Sequence, residues 1–172
     1  YIEASTDRER ELALGLVLAF QAYLGMFWLS GDMVMDLVGR SLDVLRPLGD
    51  SKELAVGKWL AGYFHLVDDL VTDERLVHEA LETFRQEGDQ AWVARCLHTL
   101  AYNFAATGDT KVELLHESLA ISRQIGDRWT TAFHLFALAE LAHAEGDFHR
   151  ARHNFRQCLD IRRAIGDRQG TE

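Results

Sequence analysis

A Gly-Asp pair that recurs along the chain constrains the fold more than any other feature of the sequence. The pair occurs seven times, with gaps of 18, 39, 20, 18, 20 and 20 residues. The gap of 39 is about twice the usual one, and Asp68-Asp69 stands near its midpoint as a degenerate copy. Such regular spacing is typical of a repeat architecture. The pairs are Gly31-Asp32, Gly49-Asp50, Gly88-Asp89, Gly108-Asp109, Gly126-Asp127, Gly146-Asp147 and Gly166-Asp167.

A Gly-Asp pair suits the junction between two helices. Glycine adopts the left-handed conformation that commonly ends a helix without straining a Cβ atom. Aspartate then caps the next helix, because its carboxylate accepts a hydrogen bond from a free N–H of the first turn. The stretch from Asp50 to Glu53 also has the spacing of a capping box. We therefore assign these aspartates to capping rather than to metal binding.

The segments between the pairs are expected to be helices. They are rich in Ala, Leu, Glu, Arg and Gln, and their apolar residues recur every three or four positions. Short helices joined by tight turns are antiparallel neighbours, and one hairpin cannot bury its apolar stripe alone. We predict an all-α solenoid of about four helical hairpins that forms a single domain over residues 1–172. The predicted repeats are approximately 8–49, 50–88, 89–126 and 127–167.

Composition and charge exclude several classes of protein. A net charge of −9 argues against a general binder of nucleic acid or of anionic membranes. The apolar stretch 12–29 is short for a membrane span and contains Gln21, so a buried helix is favoured over a span or a signal sequence. Two distant cysteines favour a reducing, cytoplasmic location. Since the first residue is Tyr rather than Met, we expect a piece of a longer protein.

The motifs that carry catalysis are missing from the sequence. There is no phosphate-binding Gly-x-x-x-x-Gly-Lys-Ser/Thr loop, no Gly-x-Ser-x-Gly elbow and no His-Glu-x-x-His pair. His149 and His153 have a spacing that can hold zinc, but no cysteine follows at ligand spacing, so polar surface residues are favoured. Cys158 is assigned to packing, and Cys96 is left as either buried or half-exposed. We expect no enzyme activity, no cofactor and no metal.

The stretch LAELAHAEGDFHRARHNFRQCLDI, residues 138–161, resembles the tetratricopeptide repeat. The family pattern has a Leu-small pair and a third apolar residue in the first helix, an aromatic residue after Gly-Asp in the turn, and a small-aromatic-small series in the second helix. The matching residues here are Leu138, Ala139, Ala142, Phe148, Ala151, Phe155 and Cys158. The resemblance covers about residues 8–168, and it is strongest in the last repeat and weakest in the first.

The period here is 38–40 residues, longer than the standard repeat of about 34 residues. The sequence of residues 117–152 resembles the long repeats of MalT-like and AfsR-like signal-transduction ATPases and transcription regulators. This resemblance implies a right-handed α-α superhelix that acts as a non-catalytic binding or sensor arm of a larger bacterial signalling protein. A module that senses a small molecule and gates an attached ATPase, or one that self-assembles, is the alternative.

The resemblance also implies where a partner binds, because first helices line the concave face of such arrays. The residues expected in this groove are Gln21, Gly25, Trp28, Lys58, Gly62, His65, Arg95, His98, Tyr102, Phe133, Phe136, Glu140 and His143. For the aromatic residues, packing between repeats is an equal alternative. Lys58, His65, Arg95 and His98 predict a basic-aromatic centre for an acidic peptide, a chain terminus or an anionic metabolite. Gly62 stands where a chaperone-tail clamp needs Asn, which disfavours that class.

The last predicted helix has an unusual charge. Residues 148–168 contain six Arg and two Asp, a net charge of +4 in an acidic chain. A solvated face, or pairing with acids of an adjacent repeat, is favoured over contact with nucleic acid. Assembly of copies through terminal repeats is the remaining alternative.

Overall fold

The computed structural model describes residues 6–25, 29–66, 69–104 and 109–167, and no strand occurs in these ranges. They form eight α-helices: α1 (Asp7–Gly25), α2 (Gly31–Leu45), α3 (Lys52–Tyr63), α4 (Leu70–Gln86), α5 (Gln90–Thr99), α6 (Asp109–Gln124), α7 (Arg128–Ala144) and α8 (Phe148–Ile165). A 3₁₀ turn (Arg46–Leu48) follows α2, and a π-helical turn (Leu100–Phe104) follows α5. The all-α class predicted from the sequence is confirmed.

The helices pack as sequence-adjacent pairs. The most extensive contacts join α1 to α2, α3 to α4, α5 to α6 and α7 to α8, as expected for helical hairpins. The chain divides into two compact units, Tyr1–Gly88 and Asp89–Glu172. This division falls at the predicted boundary between the second and third repeats. That the two units form a single domain stays a prediction.

The helix-stopping role of Gly-Asp is confirmed at three junctions in the second half of the chain. Gly88, Gly126 and Gly146 have φ values of 69°, 72° and 81°, which lie in the left-handed region. The aspartate that follows each of them caps the next helix through its side chain. The carboxylates of Asp89, Asp127 and Asp147 accept hydrogen bonds from the backbone N–H groups of Trp92, Thr130 and Arg150, at 3.3, 3.0 and 2.9 Å.

Two junctions in the first unit depart from the Gly-Asp rule. Helix α2 begins at Gly31, and its N-cap residue is Ser30. Helix α3 is capped by Ser51, whose hydroxyl accepts a hydrogen bond from the Leu54 N–H at 3.1 Å, so the cap lies one residue after the predicted Asp50. Serine is as good an N-cap as aspartate, and a serine occupies the N-cap position at both junctions.

Helices α3 and α4 approach most closely at Gly62. A Cβ atom built there would lie 2.4 Å from Val77 Cγ2 and 2.6 Å from the Asp73 carbonyl oxygen. The absence of a side chain therefore allows the two backbones of this hairpin to meet. Gly62, which the resemblance placed in a binding groove, instead faces the partner helix of its own hairpin.

The second unit has a compact apolar core. Its buried members come from α6, α7, α8 and the π-helical turn, and they are Ala101, Leu115, Leu119, Ala132, Leu135, Ala137, Leu138 and Cys158. Cys158 is thus a packing residue, as its place in the repeat pattern predicted. Cys96, whose burial the sequence left open, is also buried.

The apolar stretch at 12–29 falls mostly in α1, and it is buried on one face only. Leu18, Ala19 and Ala22 are buried, whereas Val17 and Phe20 are more than half exposed, at 52% and 58%. The expectation of a buried helix therefore holds for one side of α1.

None of the described helices combines the length and the apolar composition that crossing a membrane requires.

Candidate functional site

Four aromatic side chains of the second unit contact one another in series. The rings of Trp129 and Phe133 lie 5.6 Å apart, Phe133 lies 4.6 Å from His98, and His98 stacks on Tyr102 at 5.6 Å. Each pair within one segment is spaced four residues apart, which brings the two rings to the same helix face. We name Trp129, Phe133, His98 and Tyr102 the aromatic stripe.

The stripe is exposed at both ends and closed in the middle. Trp129 and Tyr102 are 45% and 51% exposed, whereas His98 is only 5% exposed. Contiguous exposed rings are unusual on a soluble protein and mark surfaces that bind apolar groups. Of the two accessible rings, Tyr102 stacks on the buried His98 and Trp129 stacks on the half-buried Phe133.

His98 lies on a second buried imidazole. The rings of His98 and His134 stack at 4.9 Å, and His134 Nδ1 lies 3.3 Å from the Ser122 hydroxyl oxygen. Burial, with smaller contributions from His134 and Lys111, lowers the pKa of His98 to about 3. Burial also lowers the pKa of His134 to about 4, although the Asp127 charge opposes this shift. His98 is therefore neutral and cannot supply a charge to the basic centre expected from the sequence.

Arg95 is held by residues of its own unit. Its guanidinium lies 3.5 Å from an Asp127 carboxylate oxygen and 5.1 Å from the centre of the Trp92 ring. The carboxylate that caps α7 thus also neutralises the cation on α5, at the Trp129 end of the aromatic stripe. A ligand that competes for Arg95 has to displace this ion pair.

Tyr102 stands in the π-helical turn, where the helix is locally widened. Its hydroxyl donates a hydrogen bond to Glu140 at 3.3 Å, and the Lys111 ammonium lies 5.5 Å from its ring centre. Burial and the Glu140 charge raise the pKa of the Tyr102 hydroxyl. Single turns of π-helix occur frequently at functional sites, and this one places a ring between a cation and an anion.

Two of the groove residues predicted in the first unit, Lys58 and His65, lie beside acids of α4. Lys58 Nζ lies 2.9 Å from Glu79 Oε2, and Glu79 also accepts a hydrogen bond from Arg75 at 2.7 Å. Burial raises the pKa of Glu79, but Lys58 and Arg75 outweigh it and hold that pKa below its usual value. His65 Nδ1 lies 3.5 Å from a carboxylate oxygen of the buried Asp73. Lys58 thus belongs to an ion pair within its unit, and His65 lies beside a buried acid of the same unit.

Two other predicted residues of the second unit, Phe136 and His143, lie away from the stripe. Phe136 contacts α8, with its ring 5.7 Å from Phe155 and 5.9 Å from the Arg162 guanidinium. His143 contacts Phe148 at 5.5 Å. Gln21 is exposed on α1, which Gly25 ends. Trp28 lies outside the described residues. Of the predicted set, Arg95, His98, Tyr102, Phe133 and Glu140 are brought together at the stripe.

Sequence reasoning missed Trp129 and Trp92. Trp129 precedes Phe133 by four residues, and Trp92 precedes Arg95 by three. Each tryptophan therefore lies on the same helix face as a predicted groove residue, one turn earlier in the helix. Extending the pattern toward the N-termini of α5 and α7 would have found both. Among the described residues, no group of three or more His, Cys, Asp or Glu side chains is placed to hold a metal ion. That His149 and His153 are polar surface residues rather than zinc ligands stays a prediction.

Comparison with known proteins supports the fold. No family model matches the chain, and no curated protein matches it. Among solved structures, the crystal structure of BtubC (BKLC) from P. vanneervenii is similar, with a TM-score of 0.70 and 22% sequence identity. The similarity covers 96% of this chain and 68% of that chain. At this level of identity the likeness concerns the fold alone.

Proposed function

We propose that the chain is a tetratricopeptide-like repeat module that binds a peptide segment of a partner protein through the aromatic stripe. The observation that carries this proposal is the series of four contacting rings, of which Trp129 and Tyr102 are about half exposed. Exposed, immobilised aromatic rings are the residue type that dominates binding energy at protein interfaces.

The charges around the stripe support a peptide with an apolar anchor rather than a strongly acidic one. Arg95 is paired with Asp127, and His98 is neutral. The cation of Lys111 and the anion of Glu140 both lie beside Tyr102. With one cation and one anion beside it, the stripe suits a peptide whose apolar side chain packs against the rings. The backbone groups of that peptide then interact with the flanking charges.

The wider role follows from the resemblance of residues 117–152 to long repeats of bacterial signalling proteins. We propose that the module is a non-catalytic arm of such a protein and works in the cytoplasm in signal transduction or transcription regulation. The coding sequence on either side of this region tests the proposal. A P-loop ATPase or a helix-turn-helix domain in the same reading frame supports it, and an unrelated catalytic domain contradicts it.

Replacing the two exposed rings tests the binding surface. Peptides selected from a displayed random library against the wild-type chain are measured by fluorescence anisotropy with Trp129→Ala, Tyr102→Ala and the double variant. We expect each single change to weaken binding about tenfold, because a truncated aromatic anchor commonly costs more than about 1 kcal/mol.

Ile165→Ala is the matched control, since Ile165 is an exposed apolar residue of the same unit that does not belong to the stripe. This variant is expected to bind the selected peptides as the wild type does. Equal affinities of the wild type and the Trp129→Ala/Tyr102→Ala double variant, with both helical by circular dichroism, contradict the proposal.

A further inference from the structure

A groove runs along the surface of α8, separate from the aromatic stripe. It has a volume of about 310 Å³, and part of its lining is an apolar row on one face of the helix. The row contains Phe148, Ala151, Phe155 and Leu159. These positions follow helical spacing, and Phe148 is 66% exposed. We name this feature the α8 groove.

Two arginines and His143 complete the lining of the α8 groove. Arg152 and Arg156 are one helical turn apart, and neither forms an ion pair with a carboxylate in the part of the chain that the structure describes. Other arginines of α8 are paired: Arg150 with Glu145 and Asp147, and Arg162 with Asp167 at 3.5 Å. The cations that line the groove are thus available, unlike Lys58 and Arg95.

We propose that the α8 groove is a second docking surface, which takes an amphipathic helix of a partner protein with acidic residues beside its apolar face. The apolar row contacts the apolar face of the partner helix. Because Ala151 has a small side chain, the backbone of the partner helix can approach α8 closely there. Arg152 and Arg156 form charge-assisted hydrogen bonds with its carboxylates. This surface also gives a role to two of the five arginines of α8 in a chain whose net charge is −9.

The mixed lining favours a helix over nucleic acid. Binding to a phosphate backbone relies on many cations with little apolar surface between them. Here apolar side chains supply more of the lining than arginines do. Burial of Phe148 and Leu159 requires an apolar partner face, which a helix with leucines at i, i+3, i+4 and i+7 provides.

The test uses two synthetic helical peptides with the same leucine face. One carries Glu beside that face, the other carries Lys, and both are labelled for fluorescence anisotropy. We expect the wild-type chain to bind the Glu peptide and not the Lys peptide. The double variant Arg152→Glu/Arg156→Glu is expected to lose roughly tenfold or more in affinity for the Glu peptide and to gain binding of the Lys peptide.

Arg163→Glu is the matched control, because Arg163 is an exposed arginine of α8 that does not line the groove and has no carboxylate partner among the described residues. It is expected to keep the wild-type affinity, whereas Phe148→Ala weakens binding and Trp129→Ala does not. The last two variants separate the α8 groove from the aromatic stripe.

Three results overturn the proposal. The first is unchanged affinity of the Arg152→Glu/Arg156→Glu variant for the Glu peptide. The second is an equal loss in Arg163→Glu, which reports net charge alone. The third is displacement of the Glu peptide by a single-stranded DNA oligonucleotide at lower concentration than by unlabelled Glu peptide, which assigns the face to nucleic acid.

Discussion

Two histidines at the aromatic stripe, His98 within it and His134 beneath it, are polar and buried. The stability of the fold is therefore sensitive to their protonation. Among the described residues, neither His98 Nδ1 nor His134 Nε2 has a hydrogen-bond partner, although both atoms are buried. Protonating either ring places a charge where burial cannot be offset by solvent. The charged groups nearest to the pair are Lys111 beside His98, and Arg95 and Asp127 beside His134. The stripe therefore contains one ring that must stay neutral, His98, and rests on a second, His134.

Acid is expected to destabilise the chain in a defined pH range. The folded-state pKa values of His98 and His134, about 3 and about 4, lie below the value of 6.5 for an unperturbed histidine. The unfolded state therefore binds more protons as the pH falls below about 6.5, and stability is lost down to about pH 3–4. Between pH 7 and pH 5 each histidine removes about 1–2 kcal/mol from the free energy of unfolding.

Urea unfolding of the wild type and of His98→Phe at pH 7 and pH 5 checks this expectation. Phenylalanine keeps a ring against Tyr102 and Phe133 but cannot take a proton. The difference between the two pH values is expected to shrink by about half in the variant, since one of the two shifted groups is gone. An identical difference in both proteins shows that His98 does not couple to unfolding.

Single residues were predictable where their role depends on neighbours along the chain. The caps at Asp89, Asp127 and Asp147 are of this kind, because glycine and aspartate act on the helix ends beside them. The partners of Arg95 and Lys58 were not predictable, since Asp127 and Glu79 lie on other helices. A side chain's charge is visible in the sequence, but its neutralisation depends on how the helices pack.

At the scale of elements, the hairpin of α3 and α4 depends on a missing side chain. Gly62→Ala is expected to lower the free energy of unfolding by about 1–3 kcal/mol, because its Cβ would meet the Asp73 carbonyl oxygen, which backbone packing holds in place. Gly39→Ala is the matched control within α2, since a Cβ there meets nothing within 4 Å. It is expected to raise stability by up to about 1 kcal/mol through helix propensity. Urea unfolding of both variants measures the difference, and equal stabilities refute the close approach.

Helix boundaries were largely predictable, and the exceptions have local causes. The four hairpins follow from the Gly-Asp spacing. Ser51 shifts the start of α3 because a second good capping residue stands beside the expected Asp50, whereas Ser30 occupies the N-cap position of α2 without a side-chain capping bond. The π-helical turn at Leu100–Phe104 has no sequence signal that we recognised, and it is this turn that carries Tyr102. Tyr102 was predicted as a binding residue, but the local backbone that positions its ring was not predictable from the sequence.

At the scale of the whole molecule, the division at Gly88–Asp89 predicts that the second unit folds alone. Residues 89–172 contain their own buried core, and units of this size commonly fold without help. Expressed separately, this segment is expected to be helical by circular dichroism and to unfold cooperatively in urea. A disordered segment contradicts the prediction. If the full chain unfolds in two separate transitions, the prediction of a single domain over residues 1–172 is wrong.

The two buried thiols give the second unit an internal chemical label. Cys96 and Cys158 are the only cysteines in the sequence, both belong to residues 89–172, and they are 0% and 4% exposed. Burial also raises the pKa of the Cys158 thiol and so lowers the fraction of reactive thiolate. Cys158, which belongs to the buried core of this unit, therefore reacts with a thiol reagent at the rate at which the unit opens. Opening of the second unit can thus be followed in the intact protein without introducing a new cysteine.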